Sequence, residues 1–291
     1  MSAEKQTGDE VEKREQQASE GVTDLEQDFE QSNLSSKVEN LLSTAVVDNA
    51  EIAKYVDSLV DAQYTGSVDT LKTFNLYNPE QPKESDVPAP TIEQAKEILA
   101  AHVTAEQLEV IKKMEKPTLQ LIPVTSMERY YEALNSYKPM DHQKRDAYVS
   151  FGCLDEFDRA DTRDTGKNAI VGWRIAVTEG AENPKLLEGD DPNKKLMDRA
   201  IQFSKEFKMK GASGVDLKRM IVLMMSSLKE RKLVDNQTTG TYVSENSTNF
   251  RAPFVYWNDE FHCFSFDYTE ATGLSQYARF RPSVIVDVPS S

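Results

Sequence analysis

The chain has few of the residues on which catalytic and metal sites are most often built. Its 291 residues include two cysteines, Cys153 and Cys263, and three histidines. Two cysteines are too few for a disulfide framework and are typical of a reducing compartment. No second histidine or cysteine lies three or four positions from any histidine, which zinc motifs on helices require. We therefore predict no metal site and no cofactor.

Motifs of catalysis are also missing. The sequence has no Gly-x-Ser-x-Gly elbow, no phosphate-binding glycine loop and no calcium-binding loop. Residues 211–214, GASG, are interpreted as a turn before a helix. His262 and Cys263 are adjacent, and adjacent side chains rarely face each other in a helix or strand. The sequence thus predicts no catalytic residues and a protein that is not an enzyme.

Long apolar runs are absent too. No run approaches the roughly 20 residues that span a bilayer, and the first residues lack the pattern of a signal peptide. We expect a soluble intracellular protein with no membrane partner.

Negative charge, in contrast, is abundant. The formal net charge is −15 and the isoelectric point is near 4.8, which argues against a protein that binds nucleic acid with its whole surface. The charge is uneven: residues 1–30 hold ten acids and three bases, whereas residues 201–291 hold ten acids and eleven bases. Any polyanion is therefore expected to meet the C-terminal third.

Composition and apolar spacing divide the chain into five parts. We predict a disordered acidic arm at 1–35, arm helices at 36–75, a proline-containing linker at 76–90, a helical core at 91–281, to which the resemblance described below assigns RNA binding, and a C-terminal tail at 282–291. The predicted fold class is mainly α, a helical core with a long flexible N-terminal arm and a short C-terminal arm.

Three local patterns inside the core are specific enough to check. Thr104 and Gln107 have the spacing of a capping box. The helix expected from Val215 to Lys232 is apolar all round in its middle, which indicates a central position. Residues around Trp173 are β-branched and form the best candidate for a strand or a turn.

The stretch Phe264–Arg281, FSFDYTEATGLSQYARFR, has two interpretations. In the first, it is an amphipathic helix in which Asp267 caps or pairs locally. In the second, Asp267 lies among aromatic rings and stays charged because it holds an arginine. That arginine would lie in a groove for nucleic acid.

A resemblance favours the second interpretation. FSFDYTEAT resembles the C-terminal signature of potyvirus-type coat proteins, the coats of flexuous filamentous plant viruses. Upstream segments resemble other parts of that family in the same order, and no single one is specific: MERYYEALNSY, AYVSFGC, DTGKNAIVGW, VTEGAEN and LKRMIVLM. The similarity spans roughly Ser126–Arg281. Longer loops, Gly166 in place of the family's serine and a short C-terminal tail depart from the pattern.

The resemblance implies a viral capsid protein that polymerises into a flexuous helical filament around single-stranded positive-sense RNA. It implies that Arg219 meets phosphate, that Asp267 orients this arginine or contacts ribose, and that Thr165 supplies a hydroxyl. It also implies self-association through the N-terminal arm, in the virion and the host cell cytoplasm.

Two other functions stay open at this point. One is an acidic all-α adaptor or inhibitor of phage or bacterial origin that does not bind RNA. The other is an enzyme of a different type, which would need a deep pocket with mutually perturbed titratable groups.

Overall fold

Helices and strands both contribute to the part of the chain that the structure describes. The structure is a computed structural model and describes residues 49–136, 149–151, 169–182, 184, 193–230, 240–242, 251–258, 263–270 and 278–289. These residues belong to one compact unit, Asn49–Ser291. The predictions for the acidic arm at 1–35 and for Thr165 fall outside the described residues.

The described helices are α1 (Asn49–Thr73), α2 (Ile92–His102), α3 (Ala105–Lys113), α4 (Met127–Ser136), α5 (Leu196–Met209) and α6 (Leu217–Glu230). The described strands are β1 (Pro117–Val124), β2 (Val149–Phe151), β3 (Gly172–Glu179), β4 (Ser213–Gly214), β5 (Gly240–Tyr242), β6 (Arg251–Asn258), β7 (Cys263–Glu270), β8 (Ala278–Arg279) and β9 (Pro282–Asp287).

Two sheets organise these strands. The first is antiparallel with strand order β1-β3-β9-β4. The second is mixed, with order β2-β7-β6-β5-β8, and its outer pairs β2–β7 and β5–β8 are parallel. The chain passes from the second sheet to the first between β8 and β9, so Phe280 and Arg281 lie at the junction of the two sheets.

The prediction of a mainly α fold is wrong, because the described residues form a mixture of helices and strands. Phe264, Phe266 and Tyr268 alternate with polar residues, which is the period of a strand, and they lie in β7. The helix interpretation of this segment is therefore also wrong. The predicted tail contains the β-branched run of β9, which joins the middle of the first sheet.

Three local predictions are confirmed. Thr104 and Gln107 form a reciprocal capping box at the start of α3, with distances of 3.2 and 2.9 Å between the bonded atoms. Residues 220–225 of α6 are all buried, as the apolar composition indicated. Trp173 lies in β3, the strand predicted around it.

The open edge of β1 is covered by a helix. The side-chain amide of Gln63, on α1, donates to the carbonyl of Pro117 at 2.9 Å and accepts from the N–H of Leu119 at 2.8 Å. One helical turn later the Ser67 hydroxyl accepts from the N–H of Leu121 at 2.9 Å. Four residues of helix rise about 6 Å and two residues of strand about 6.8 Å, so Gln63 and Ser67 are spaced to meet the N–H groups of Leu119 and Leu121.

A buried ion pair fixes the segment between α1 and α2. The guanidinium of Arg129, on α4, donates to both oxygens of Asp86 at 2.7 Å, and both side chains are almost fully buried. Asp86 also accepts from the N–H of Ile170. Burial alone would raise the pKa of Asp86, but the hydrogen bonds from Arg129 and Ile170 and the Arg129 charge outweigh it and hold the pKa below its ordinary value.

The structure places the predicted arm helices and linker on the first sheet. Helix α1 packs against β1, α2 and α6. Within 76–90, the ring of Tyr77 meets that of Trp173 edge-on at 4.8 Å, and Val87 accepts from the indole N–H. Residues 36–48 of the predicted arm helices lie outside the described residues, and contact of the arm with a neighbouring molecule stays a prediction.

We predict that Asp86→Asn lowers the free energy of unfolding by about 3–5 kcal/mol, because it leaves the Arg129 charge buried and unpaired. Asp287→Asn is the matched control, since the Arg174–Asp287 pair is exposed and is expected to contribute under about 1 kcal/mol. Urea denaturation measures both. The difference in unfolding free energy between wild type and Asp86→Asn should shrink as the pH falls below about 4. A carboxyl group whose pKa is depressed in the folded state stabilises the fold above its unfolded pKa, and this stability is lost as the pH falls through the folded pKa. Equal losses in the two variants would contradict this interpretation.

A second prediction concerns the edge of β1. Gln63→Leu removes both partners of Pro117 and Leu119, so unfolding free energy should fall by about 1–3 kcal/mol. Gln202→Leu is the control, because Gln202 is exposed on α5 and surface changes usually stay within about 0.5 kcal/mol. Thermal and urea denaturation provide the comparison. A Gln63→Leu protein as stable as the control would show that the helix does not secure this edge.

Candidate nucleic-acid interface

Arg219, the predicted phosphate ligand, is an interior side chain. It lies in the first turn of α6 and is 5% exposed. Its Nε lies 2.9 Å from the Asp216 carboxylate, and its two terminal nitrogens donate to the Ser213 hydroxyl and the Gly214 carbonyl at 3.0 Å. The Arg219 carbonyl accepts from the Gln120 side chain of β1. These contacts tie α6 to β4 and β1 and leave the guanidinium turned away from solvent.

The partner expected for this arginine lies elsewhere in the fold. Asp267 is in β7 of the second sheet, where it is opposite Phe254 of β6. The carboxylate that the structure places beside Arg219 is Asp216, three residues before it. Thr165, the third predicted RNA-binding residue, lies outside the described residues. The geometry therefore gives Arg219 a structural role and does not support the pocket as predicted.

Arg281, the last residue of the stretch Phe264–Arg281, is buried as well. Its Nε donates to the Thr241 hydroxyl of β5 at 2.7 Å, and one terminal nitrogen donates to the carbonyls of Glu179 and Ala181 at 3.0 and 2.7 Å. Thr241 belongs to the second sheet and Glu179 to the first. Arg281 thus joins the two sheets at the point where the chain crosses between them.

The exposed cations of this part of the chain lie on and just before α5. Residues 193–210 hold six bases and two acids, a net charge of +4 in a chain of −15. Lys194, Lys195, Lys205 and Lys208 are all exposed, and we call these four side chains the lysine surface. Among the described residues, no carboxylate lies within ion-pair distance of any of the four.

Helical geometry puts Lys205 and Lys208 on one side of α5, and Lys194 and Lys195 lie just before its first turn. The opposite side is buried and includes Ala200, Phe203 and Phe207, with the Phe203 ring 5.1 Å from that of Phe280. Positions 205 and 208 are three residues apart, so they are neighbours on the outer face about 4.5 Å apart along the axis. The packing of the aromatic side therefore fixes which way the lysines point.

The lysine surface could have been predicted from the sequence as a local excess of positive charge. A local charge of +4 and lysines at positions 194, 195, 205 and 208 are visible without a structure. The sequence did not show that Arg219 and Arg281 are buried and hydrogen-bonded within the protein.

Two other features, a metal-binding cluster and a membrane-spanning helix, are absent from the described residues. They contain no group of three or more histidine, cysteine, aspartate or glutamate side chains close enough to hold a metal ion. Within the same ranges, no helix is both long enough and apolar enough to cross a bilayer. No protein-family model, no curated protein and no solved structure matches this chain.

We predict that Arg219→Ala acts on stability and leaves RNA binding unchanged. Removing the guanidinium takes the charge partner from the buried Asp216 carboxylate, to which the N–H of residue 219 still donates, at a cost of up to about 3–5 kcal/mol. The salt dependence of RNA binding by the protein that remains folded should be that of wild type, because the Arg219 guanidinium is buried and bonded within the protein. Denaturation curves and binding titrations at low temperature test the two parts. A stable variant in which the slope of log RNA affinity against log salt is reduced would indicate that Arg219 does contact RNA.

Proposed function

We propose that the protein is a structural protein that binds single-stranded RNA without sequence preference through the lysine surface of α5. The observation that supports it most is the set of four exposed, unpaired lysines on and just before α5, in a segment of net charge +4 within a chain of −15. A polyanion is repelled by the acidic chain as a whole and attracted to a local cluster of cations such as this one.

The chemistry of the lysine surface fits backbone contacts. Lysine ammonium groups are strongly hydrated point charges that bind phosphate without reading bases. Non-specific binding of this kind comes from the release of counterions, and it weakens as salt is added. A few such contacts per subunit give low affinity, which becomes useful when many subunits line one strand.

The role as a coat protein is the less supported part of the proposal. It rests on the order of the sequence motifs between Ser126 and Arg281, and the helical fold implied by the same resemblance is wrong. A filament coat also requires contacts between subunits, for which residues 1–48 are the candidate segment. The alternative of an acidic adaptor or inhibitor remains, without the all-α fold expected for it.

Neutralising two of the lysines tests the proposal. The double variant Lys205→Gln/Lys208→Gln should bind a uridine oligonucleotide more weakly, and its plot of log affinity against log salt should lose about 1.4 units of slope, about 0.7 for each phosphate contact. Fluorescence anisotropy over a range of salt concentrations measures this slope. The loss should be the same for oligonucleotides of other sequences.

Lys96→Gln/Lys112→Gln is the matched control. Both lysines are paired at the surface, Lys96 with Asp61 at 2.6 Å and Lys112 with Glu51 at 2.7 Å, so their loss should leave the slope unchanged. An equal change in both double variants would mean that net charge alone governs binding. Wild-type protein that does not bind the oligonucleotide would contradict the proposal. Negative-stain microscopy of the same mixtures separates a coat protein, which forms rods, from an adaptor, which does not.

A further inference from the structure

A cleft of about 570 Å³ lies between α1, α6 and the ends of β1 and β3. Its volume is within the range of about 300–1,000 Å³ that is usual for small-ligand sites. The lining of α1 consists of small or polar side chains, and Leu119 and Leu223 provide an apolar part. None of the four lysines of the α5 lysine surface lines it.

The cleft has free space beside one residue of α1 that has no side chain. Gly66 lies in the helix interior, and a Cβ placed on it would meet no atom within 4 Å. Glycine lowers helix stability by about 1 kcal/mol relative to alanine. No positive φ or close backbone contact requires glycine at this position, so its effect in the structure is to leave space in the cleft.

The lysines of the cleft are loosely paired. Lys116 lies 3.7 Å from Glu230, and Lys229 lies 3.8 Å from Asp69, both beyond hydrogen-bonding distance. The Lys229 ammonium also makes a long contact of 3.5 Å with the Gly66 carbonyl. Two other acids of α1 are paired more closely: Asp61 lies 2.6 Å from Lys96, and Glu51 lies 2.7 Å from Lys112. Surface pairs contribute about 0–1 kcal/mol, so exchanging these two for contacts to a ligand costs little.

Charge of both signs lines the cleft in equal number. Lys116 and Lys229 are cationic, and Glu182 and Glu230 are anionic. A balanced site gains little from a ligand with a single charge, because attraction to one pair is offset by repulsion from the other. It favours a ligand that carries one group of each sign.

We propose that this cleft binds a zwitterionic small molecule of the size of a short peptide with free termini. Lys116 and Lys229 bind its carboxylate, and Glu182 and Glu230 bind its ammonium group. The apolar body of the ligand lies against Leu119 and Leu223, beside the open space at Gly66. The site lies apart from the proposed RNA-binding lysines.

Calorimetric titration of the full chain with trialanine, which has free termini, tests the proposal. We expect saturable binding with a dissociation constant of about 1 mM or lower. N-acetyl-trialanine amide has the same body without charged termini, and succinate has only negative charge; both should bind at least about tenfold more weakly, a difference of about 1.4 kcal/mol.

Two substitutions at Gly66 locate the binding. Gly66→Leu fills the cleft while raising helix propensity, so the variant should fold and bind trialanine at least about tenfold more weakly. Gly66→Ala gives a similar propensity gain with a smaller side chain and should bind like wild type. No binding of trialanine at about 10 mM, equal binding of the capped peptide or of succinate, or unchanged binding by Gly66→Leu would each overturn the proposal. Lys205→Gln/Lys208→Gln should bind trialanine normally, so this result and the RNA result are independent.

Discussion

The first sheet depends on how its outer strand, β1, is closed. An edge strand exposes unpaired N–H and C=O groups that attract other strands. Here Pro117 and Pro123 each lack an N–H at the ends of β1, and between them Leu119 and Leu121 donate to Gln63 and Ser67 of α1. Helix α1 thus takes the position of a further strand and supplies its hydrogen bonds from side chains. The same arrangement forms one wall of the cleft at Gly66.

Buried charge explains how the conspicuous arginines contribute to the fold. Arg129 pairs with Asp86, Arg219 with Asp216, and Arg281 binds carbonyls and a hydroxyl at the junction of the sheets. Each guanidinium makes several directed hydrogen bonds, which its planar shape allows and a lysine ammonium would not match. The lysines, by contrast, remain at the surface, and those on α5 keep their charge available. The buried arginines therefore stabilise the fold, whereas the exposed lysines form the candidate interface.

Several elements of this fold were predictable from sequence, and others were not, for identifiable reasons. The capping box at Thr104, the apolar centre of α6 and the strand at Trp173 are encoded by local patterns, and all are confirmed. The strand at Phe264 was missed, because the segment was interpreted as an amphipathic helix or as part of a nucleic-acid groove, although its alternation of aromatic and polar residues has the period of a strand. The burial of Arg219 was not predictable, because Asp216 three residues earlier is equally compatible with a solvated pair. The lysine surface was readable as local charge, whereas its orientation depends on the packing of Phe203 and Phe207.

The proposed function requires that an RNA strand contacts the lysine surface. Acetylation of lysines in the presence and absence of a saturating uridine oligonucleotide, read by mass spectrometry, measures this directly. We expect RNA to protect Lys194, Lys195, Lys205 and Lys208, while Lys96 and Lys112 react equally in both conditions. Protection that spreads over all lysines, or that spares the four on and before α5, would contradict the proposed interface.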